Sequence, residues 1–314
     1  MGAAQEVNAT ATALCPSEVT LTASASTKTA IRFAPDCAVM AIDLAPANDG
    51  DLYLNAQGLG IVHYHHEPLF PATVVNLSSN PIQSAALSSA TTSLTQLIFS
   101  ACNLTQLLGL EFPQGVANFT LDLSWNKLKD IQSEALPSSL TALSLASNAF
   151  QGLVNASFPS TLEHLSLANN DIERIELTEF PANLKTLDLT GNPLQFIEIR
   201  ESDIPVFQNA NILPVLHTQT PCANPQATLA TFQSHDVCVI PDAVFNQKKY
   251  ANRALVPDTE VHASVGSSSS SSTTTIALNV FYVVLGVAFA FAAVFIALKM
   301  RRKRREKQAA DRIN

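Results

Sequence analysis

The chain has 314 residues, of which 47% are apolar and 14% charged, with 10 Gly and 17 Pro. That is enough apolar material for a sizeable core, and it excludes a disordered polymer. Net charge is −8 but uneven: residues 1–275 hold 10 Lys/Arg against 24 Asp/Glu, whereas residues 299–314 hold 8 against 2. An acidic body argues against nucleic acid as a partner, because phosphate contact needs a basic face. At the start, Met1 to Glu6 show neither the basic n-region nor the apolar h-region of a secretory leader. Glu6 also stands where a myristoylation signal needs Ser or Thr. Because later features call for an extracellular body, a leader is expected to be missing from this sequence.

The middle of the chain repeats itself. Leu162/Leu165/Leu167/Asn170/Ile172 fits L-x-x-L-x-L-x-x-N-x-L at every fixed position. Leu184/Leu187/Leu189/Asn192/Leu194 and Leu140/Leu143/Leu145/Asn148/Phe150 do the same. Leu94/Leu97/Phe99/Cys102/Leu104 fits with Cys in the Asn slot. Two copies lack the first leucine: Leu121/Leu123/Asn126/Leu128, with Asn118 in that position, and Val75/Leu77/Asn80/Ile82. Leu52/Leu54/Leu59 is a degenerate earlier copy with Gln57 in the slot. From Gln57 onward the slots are separated by 23, 22, 24, 22, 22 and 22 positions.

In Leu-x-Leu both leucines face one side of a short strand, since successive side chains alternate. One coil cannot bury its own leucines, so its neighbours must cover them in a parallel-strand solenoid. The slot Asn offers amide donors and a carbonyl acceptor to backbone groups inside the turn. Prolines at 71, 113, 137, 159 and 181 precede most strands and predict loops rather than long helices on the convex side. On these residues the sequence resembles the leucine-rich-repeat family over 38–199. The resemblance implies an α/β-type solenoid of mostly short parallel strands and loops, with a cap at 1–37 and another at 200–241.

An open solenoid needs closure at both ends. Two cysteines precede the repeats and two follow, so we expect Cys15–Cys37 and Cys222–Cys238 disulfides, with Cys102 a buried thiol in the Asn slot. Asn-x-Ser/Thr sequons at Asn8, Asn76, Asn103, Asn118 and Asn155 are candidate glycosylation sites. By register, Asn76 should project from the concave face. The other outward concave positions include Ile98, Phe119, Asp122, Trp125, Glu163, His164, Ser166, Lys185 and Asp188. Phe119 and Trp125 are expected to anchor a ligand, as aromatics do on recognition surfaces, the alternative for Trp125 being that it folds down over the next strand as a packing residue. His63-Tyr64-His65-His66-Glu67 lacks zinc-hydrolase spacing and reads as a convex loop rather than a metal site. No nucleophile elbow, phosphate loop or kinase signature is present, so neither catalysis nor a cofactor or metal is expected.

Residues 242–275 read as a flexible stalk ending in Ser267–Ser272 and Thr273–Thr275. Ile276 to Leu298 is an uncharged run of 23 residues. As a helix it would extend about 34 Å, enough for one transmembrane crossing. Gly286, Ala290, Ala293 and Ala297 place small residues on one face of it, where another helix could approach. The basic tail, 299–314, then stays cytoplasmic. It suits anionic lipids but has no Ser, Thr, Tyr or Cys to modify and no room for an enzyme domain.

The expected protein is therefore a single-span plasma-membrane receptor-like protein with its N-terminus outside. It would bind an extracellular protein, peptide or glycan and signal through a membrane-embedded co-receptor or kinase. The layout resembles oomycete receptor kinases of the tyrosine-kinase-like group without the kinase, so a truncated receptor kinase or an adhesive surface glycoprotein are the alternatives.

Overall fold

A computed structural model describes residues 16–26, 29–46, 51–67, 69–87, 93–113, 116–131 and 136–255. The expected span 276–298, the tail 299–314, the Ser/Thr run, Asn8 and Cys15 lie outside the described residues. Among those described, no helix is long and apolar enough to cross a membrane.

The leucine pattern generates the main sheet. Strands β5 (Leu52–Asn55), β7 (Val74–Asn76), β9 (Gln96–Ile98), β10 (Phe119–Asp122), β11 (Leu140–Ser144), β13 (His164–Ser166), β15 (Thr186–Asp188) and β17 (Asn211–Leu213) follow one another in parallel. The short β4 (Ala45–Pro46) closes the first edge antiparallel to β5. One residue per strand forms the central ladder: Leu54, Val75, Leu97, Leu121, Leu143, Leu165, Leu187 and Ile212 are successive register partners. All eight are buried, so each coil's apolar side chain is covered by its neighbours. The prolines set the approach to the strands. The carbonyls of Pro137, Pro159 and Pro181 accept the N–H of Leu140, Leu162 and Leu184, a turn that delivers the first leucine of each repeat.

The opposite face was expected to be loops, but much of it is sheet. Strands β1 (Thr20–Ser24), β2 (Thr29–Phe33) and β3 (Val39–Asp43) form an antiparallel meander whose β1 pairs in parallel with β6 (His63–His66), which pairs with β8 (Ser84–Leu87). The His63–Glu67 stretch is thus corrected from a loop to a strand: Tyr64 points inward between Leu21 and Ala85. The N-terminal cap also extends past residue 37, because β3 belongs to the meander. At the other end, β12 (Gly152–Val154), β14 (Arg174–Glu176), β16 (Phe196–Arg200) and β19 (His235–Ile240) run in parallel, with β18 (Thr228–Phe232) antiparallel at the edge. The expected C-terminal cap therefore continues both sheets, through β17 and β19.

Cys222 and Cys238 are joined as expected, tying the β17–β18 connection to β19. Cys37 is also disulfide-bonded. Helix α1 (Ile204–Asn209) packs Phe207 against Phe180. Helix α2 (Asp242–Leu255) replaces the first part of the expected stalk, with Phe245 fully buried beside Leu177 and Ile240.

Candidate functional site

The outward side chains of the parallel sheet fall into two rows. From β9 to β17 the first row reads Gln96, Thr120, Ala142, His164, Thr186, Asn211. The second reads Ile98, Asp122, Ser144, Ser166, Asp188, Leu213. All of them except Ile98 line a shallow groove of about 600 Å³. Its floor is low at Ala142, Ser144 and Ser166, which are small, while His164 stands on the middle strand.

Of the seven residues expected to bind ligand, the groove lining brings together Asp122, His164 and Asp188. His164 Nδ1 hydrogen-bonds Thr186 Oγ1 at 2.8 Å, which holds the imidazole across the next strand. Asp122 and Asp188 are each fixed by a turn at the strand end. Asp122 Oδ1 accepts the Ser124 N–H at 2.9 Å, and Asp188 Oδ1 accepts the Thr190 N–H at 3.0 Å and its hydroxyl at 2.7 Å. Ile98 is half-buried next to Asp122. Lys185 stands at the strand margin, where its ammonium is 2.7 Å from Glu163 and is neutralised there.

Phe119 is a correction: it is fully buried, not outward. Counting back three places from Leu121 puts Asn118 in the inward slot. The ladder instead pairs Phe119 with Leu140 and then shifts, so that Thr120 faces Ala142. The step from the first-leucine position to Leu121 is one residue shorter than in the next repeat, and Phe119 fills that first position. Trp125 is 67% exposed but lies off the strand, in the turn before Asn126, with φ of 57°. Ser79, Ala101, Ser147, Asn169 and Gly191 occupy the same left-handed position in their repeats. The Trp125 ring is therefore displayed at the rim and not in the groove.

Asn76 stands in the outward row beside Ile98, as expected, but it is buried there. It lies under Tyr53, 9% exposed, with its Nδ2 donating to Tyr53 Oη at 2.9 Å and its Oδ1 accepting from Ser78 N–H. A glycan on that nitrogen would have to displace the tyrosine. Asn103 and Asn118 are exposed in left-handed turns, and Asn155 is half-buried in another. Groove residues that the sequence reading missed include Gln96, Ala142, Ser144 and Leu213. Ala142 and Ser144, small and neutral, gave no signal of their own; their place on a strand between those of the two aspartates did, once the register was known. Among the described residues no three His, Cys, Asp or Glu are placed to hold a metal ion.

Inside the turns the slot asparagines form a ladder. Asn126, for instance, donates Nδ2 to the carbonyls of Phe99 and Leu123 and accepts at Oδ1 from the N–H groups of Cys102 and Leu104. Residues 138–194 match the family model described as leucine rich repeat. That stretch is a run of leucine-rich repeats. The same ladder and the same inward leucines continue on both sides of it, which supports a leucine-rich-repeat protein and points to protein–protein interaction. No curated protein matches the chain.

Proposed function

We propose that this leucine-rich-repeat protein is a cell-surface, single-span receptor-like protein. It binds an extracellular protein, peptide or glycan on the open sheet face, has no catalysis of its own and signals through a membrane partner. The observation that carries the binding reading is the groove itself: a continuous strip of outward side chains with a low floor, uncovered by any other described element. Exposed polar positions on a rigid repeat scaffold are where such folds place recognition. The membrane half of the reading rests on the apolar run Ile276 to Leu298 and the basic residues that follow it. The layout is similar to that of oomycete receptor kinases of the tyrosine-kinase-like group, without their kinase.

Selection of random nine-residue peptides on the full-length chain tests the face. Ser144→Tyr fills the groove from a half-buried, outward-facing position without touching the core, so binders selected on the wild-type chain should be lost on this variant. Binders that ignore Ser144→Tyr would refute the sheet-face reading. Protease treatment of intact cells should digest the repeats and spare a tag placed after Asn314; the reverse pattern would refute the topology.

A further inference from the structure

We infer that the groove takes an extended polypeptide segment carrying two Lys or Arg residues four positions apart; the inference rests on the sheet-face reading above. The second outward row is a near-palindrome across six strands: Ile98, Asp122, Ser144, Ser166, Asp188, Leu213. The two carboxylates are three strands apart, about 14 Å at ~4.8 Å per strand. Neither has a Lys, Arg or His partner among the described residues, while Lys185, the nearby base, is committed to Glu163. Each aspartate spends one oxygen on its own turn and is thereby oriented, leaving the other oxygen free to accept.

An extended chain crossing the strands rises ~3.3 Å per residue, so residues i and i+4 are about 13 Å apart and point to the same side. That spacing and that parity match the aspartate pair. Residue i+2 would lie over Ser144 and Ser166, where the low floor admits a small polar side chain. Residues i−2 and i+6 would reach Ile98 and Leu213, and Leu213 is 47% exposed. The complementary segment therefore reads apolar-x-basic-x-small-x-basic-x-apolar. The charge of the whole outer portion, 10 bases against 24 acids over residues 1–275, also favours a basic partner at encounter.

The test uses the full-length chain and a labelled peptide, Val-Gln-Arg-Gln-Ser-Gln-Arg-Gln-Val, followed by fluorescence anisotropy. Controls replace both Arg with Glu, or move them two positions apart. The Arg peptide should bind, weaken as salt rises, and exceed both controls. Asp122→Asn and Asp188→Asn keep the turn-forming Oδ1, so they test charge without unfolding; each should weaken binding about fivefold and the pair about twentyfold. Failure of the Arg peptide to bind, equal binding by the Glu peptide, or a double variant that binds like wild type would overturn the inference. Should library binders depend on Ser144 but not on the two aspartates, the sheet-face reading stands and only the dibasic ligand falls. Loss of dependence on Ser144 removes both.

Discussion

Asn170 shows how much a single side chain does in this fold. Its Oδ1 accepts the N–H groups of Asn148 and Phe150, and its Nδ2 donates to the carbonyls of Leu145, Leu167 and Ala168, all at 3.3 Å or less. Those groups belong to two adjacent coils and have no water to turn to, since Asn170 is 4% exposed. Asn170→Ala should cost about 2–4 kcal/mol, because buried groups left unpaired bear their full desolvation penalty; a thermal midpoint within a degree of wild type would contradict this. Cys102 imitates only the donating half, its thiol reaching the Leu77 carbonyl at 3.2 Å. Burial pushes that thiol up to about 11. At pH 8 it should resist iodoacetamide in the folded protein and react once denatured. The slot was legible in the sequence because Asn recurs there; Phe119 was not, because a step one residue shorter shifted the register without altering the Leu-x-Leu that follows it. His66, on β6, was equally illegible, since alternation in a histidine-rich run says nothing about burial. Burial, with His65 nearby, pushes its imidazole down to about 4. The unfolded chain, with an ordinary value of about 6.5, binds a proton that the folded one refuses. Stability from this group is therefore complete above pH ~6.5 and is lost as pH falls toward 4, by about 3 kcal/mol. Asp203 acts in the opposite direction: burial pushes its carboxyl up to about 6 despite Arg200, so acidification over pH 6 to 4 favours the fold there. His66→Gln should remove the first effect and keep the second. Urea midpoints at pH 7 and 4.5 would decide it, and an equal acid loss in both proteins would exclude His66 as the cause.

Helix α2 is held by charge as much as by Phe245. Lys248 Nζ lies 2.7 Å from Glu198 Oε1 and 3.1 Å from Glu176 Oε1, and Glu198 is 1% exposed. Burial pulls the Lys248 ammonium down, but its bonds to the two carboxylates outweigh that and raise it above the ordinary lysine value. Beside it, Lys249 Nζ is 2.9 Å from Glu179, and the Arg200 guanidinium lies over the Phe245 ring. Lys248→Met would strand the Glu198 carboxylate inside the sheet, so we expect a loss of about 3–5 kcal/mol and faster hydrogen exchange in α2 and β16. Pairing it with Glu198→Met should restore most of the loss, since apolar side chains can replace a buried ion pair. A double variant as unstable as the single would mean the loss comes from packing rather than an uncompensated charge. The sequence hid this element for a physical reason. Phe245 is its one apolar side chain seen buried among the described residues, and Lys248 and Lys249 anchor it by ion pairs to Glu198 and Glu179, so charged side chains stand where an apolar stripe would be sought. The convex strands hid similarly: Gly152–Val154 and Arg174–Glu176 are three residues long, each with one inward apolar side chain.

Across the whole solenoid the two faces are not equally continuous. The leucine-bearing sheet runs unbroken from β4 to β17, as the 22-residue period implied. The opposite sheets stop at Leu87 and resume at Gly152, and among the described residues no strand forms on that face between them. Over that interval the coils are linked there by single hydrogen bonds, such as Lys127 N–H to the Leu104 carbonyl and Ala149 N–H to the Leu128 carbonyl, plus an isolated bridge from Ala85 to Leu110. In a repeat array each coil is supported by its immediate neighbours only, so local opening is cheapest where one of the two ladders is interrupted. Lys127 and Lys129 lie in this interval and are exposed. Lys185 is also exposed, but it adjoins β15 in the continuous sheet and sits between coils that carry strands on both faces. Mild trypsin should therefore make its first cut within residues 52–240 after Lys127 or Lys129, and the fragments should stay associated through the unbroken sheet until denaturant is added. A first cut after Lys185 or Arg174 would show instead that opening follows side-chain exposure alone, and that the second ladder adds no cooperativity to the array.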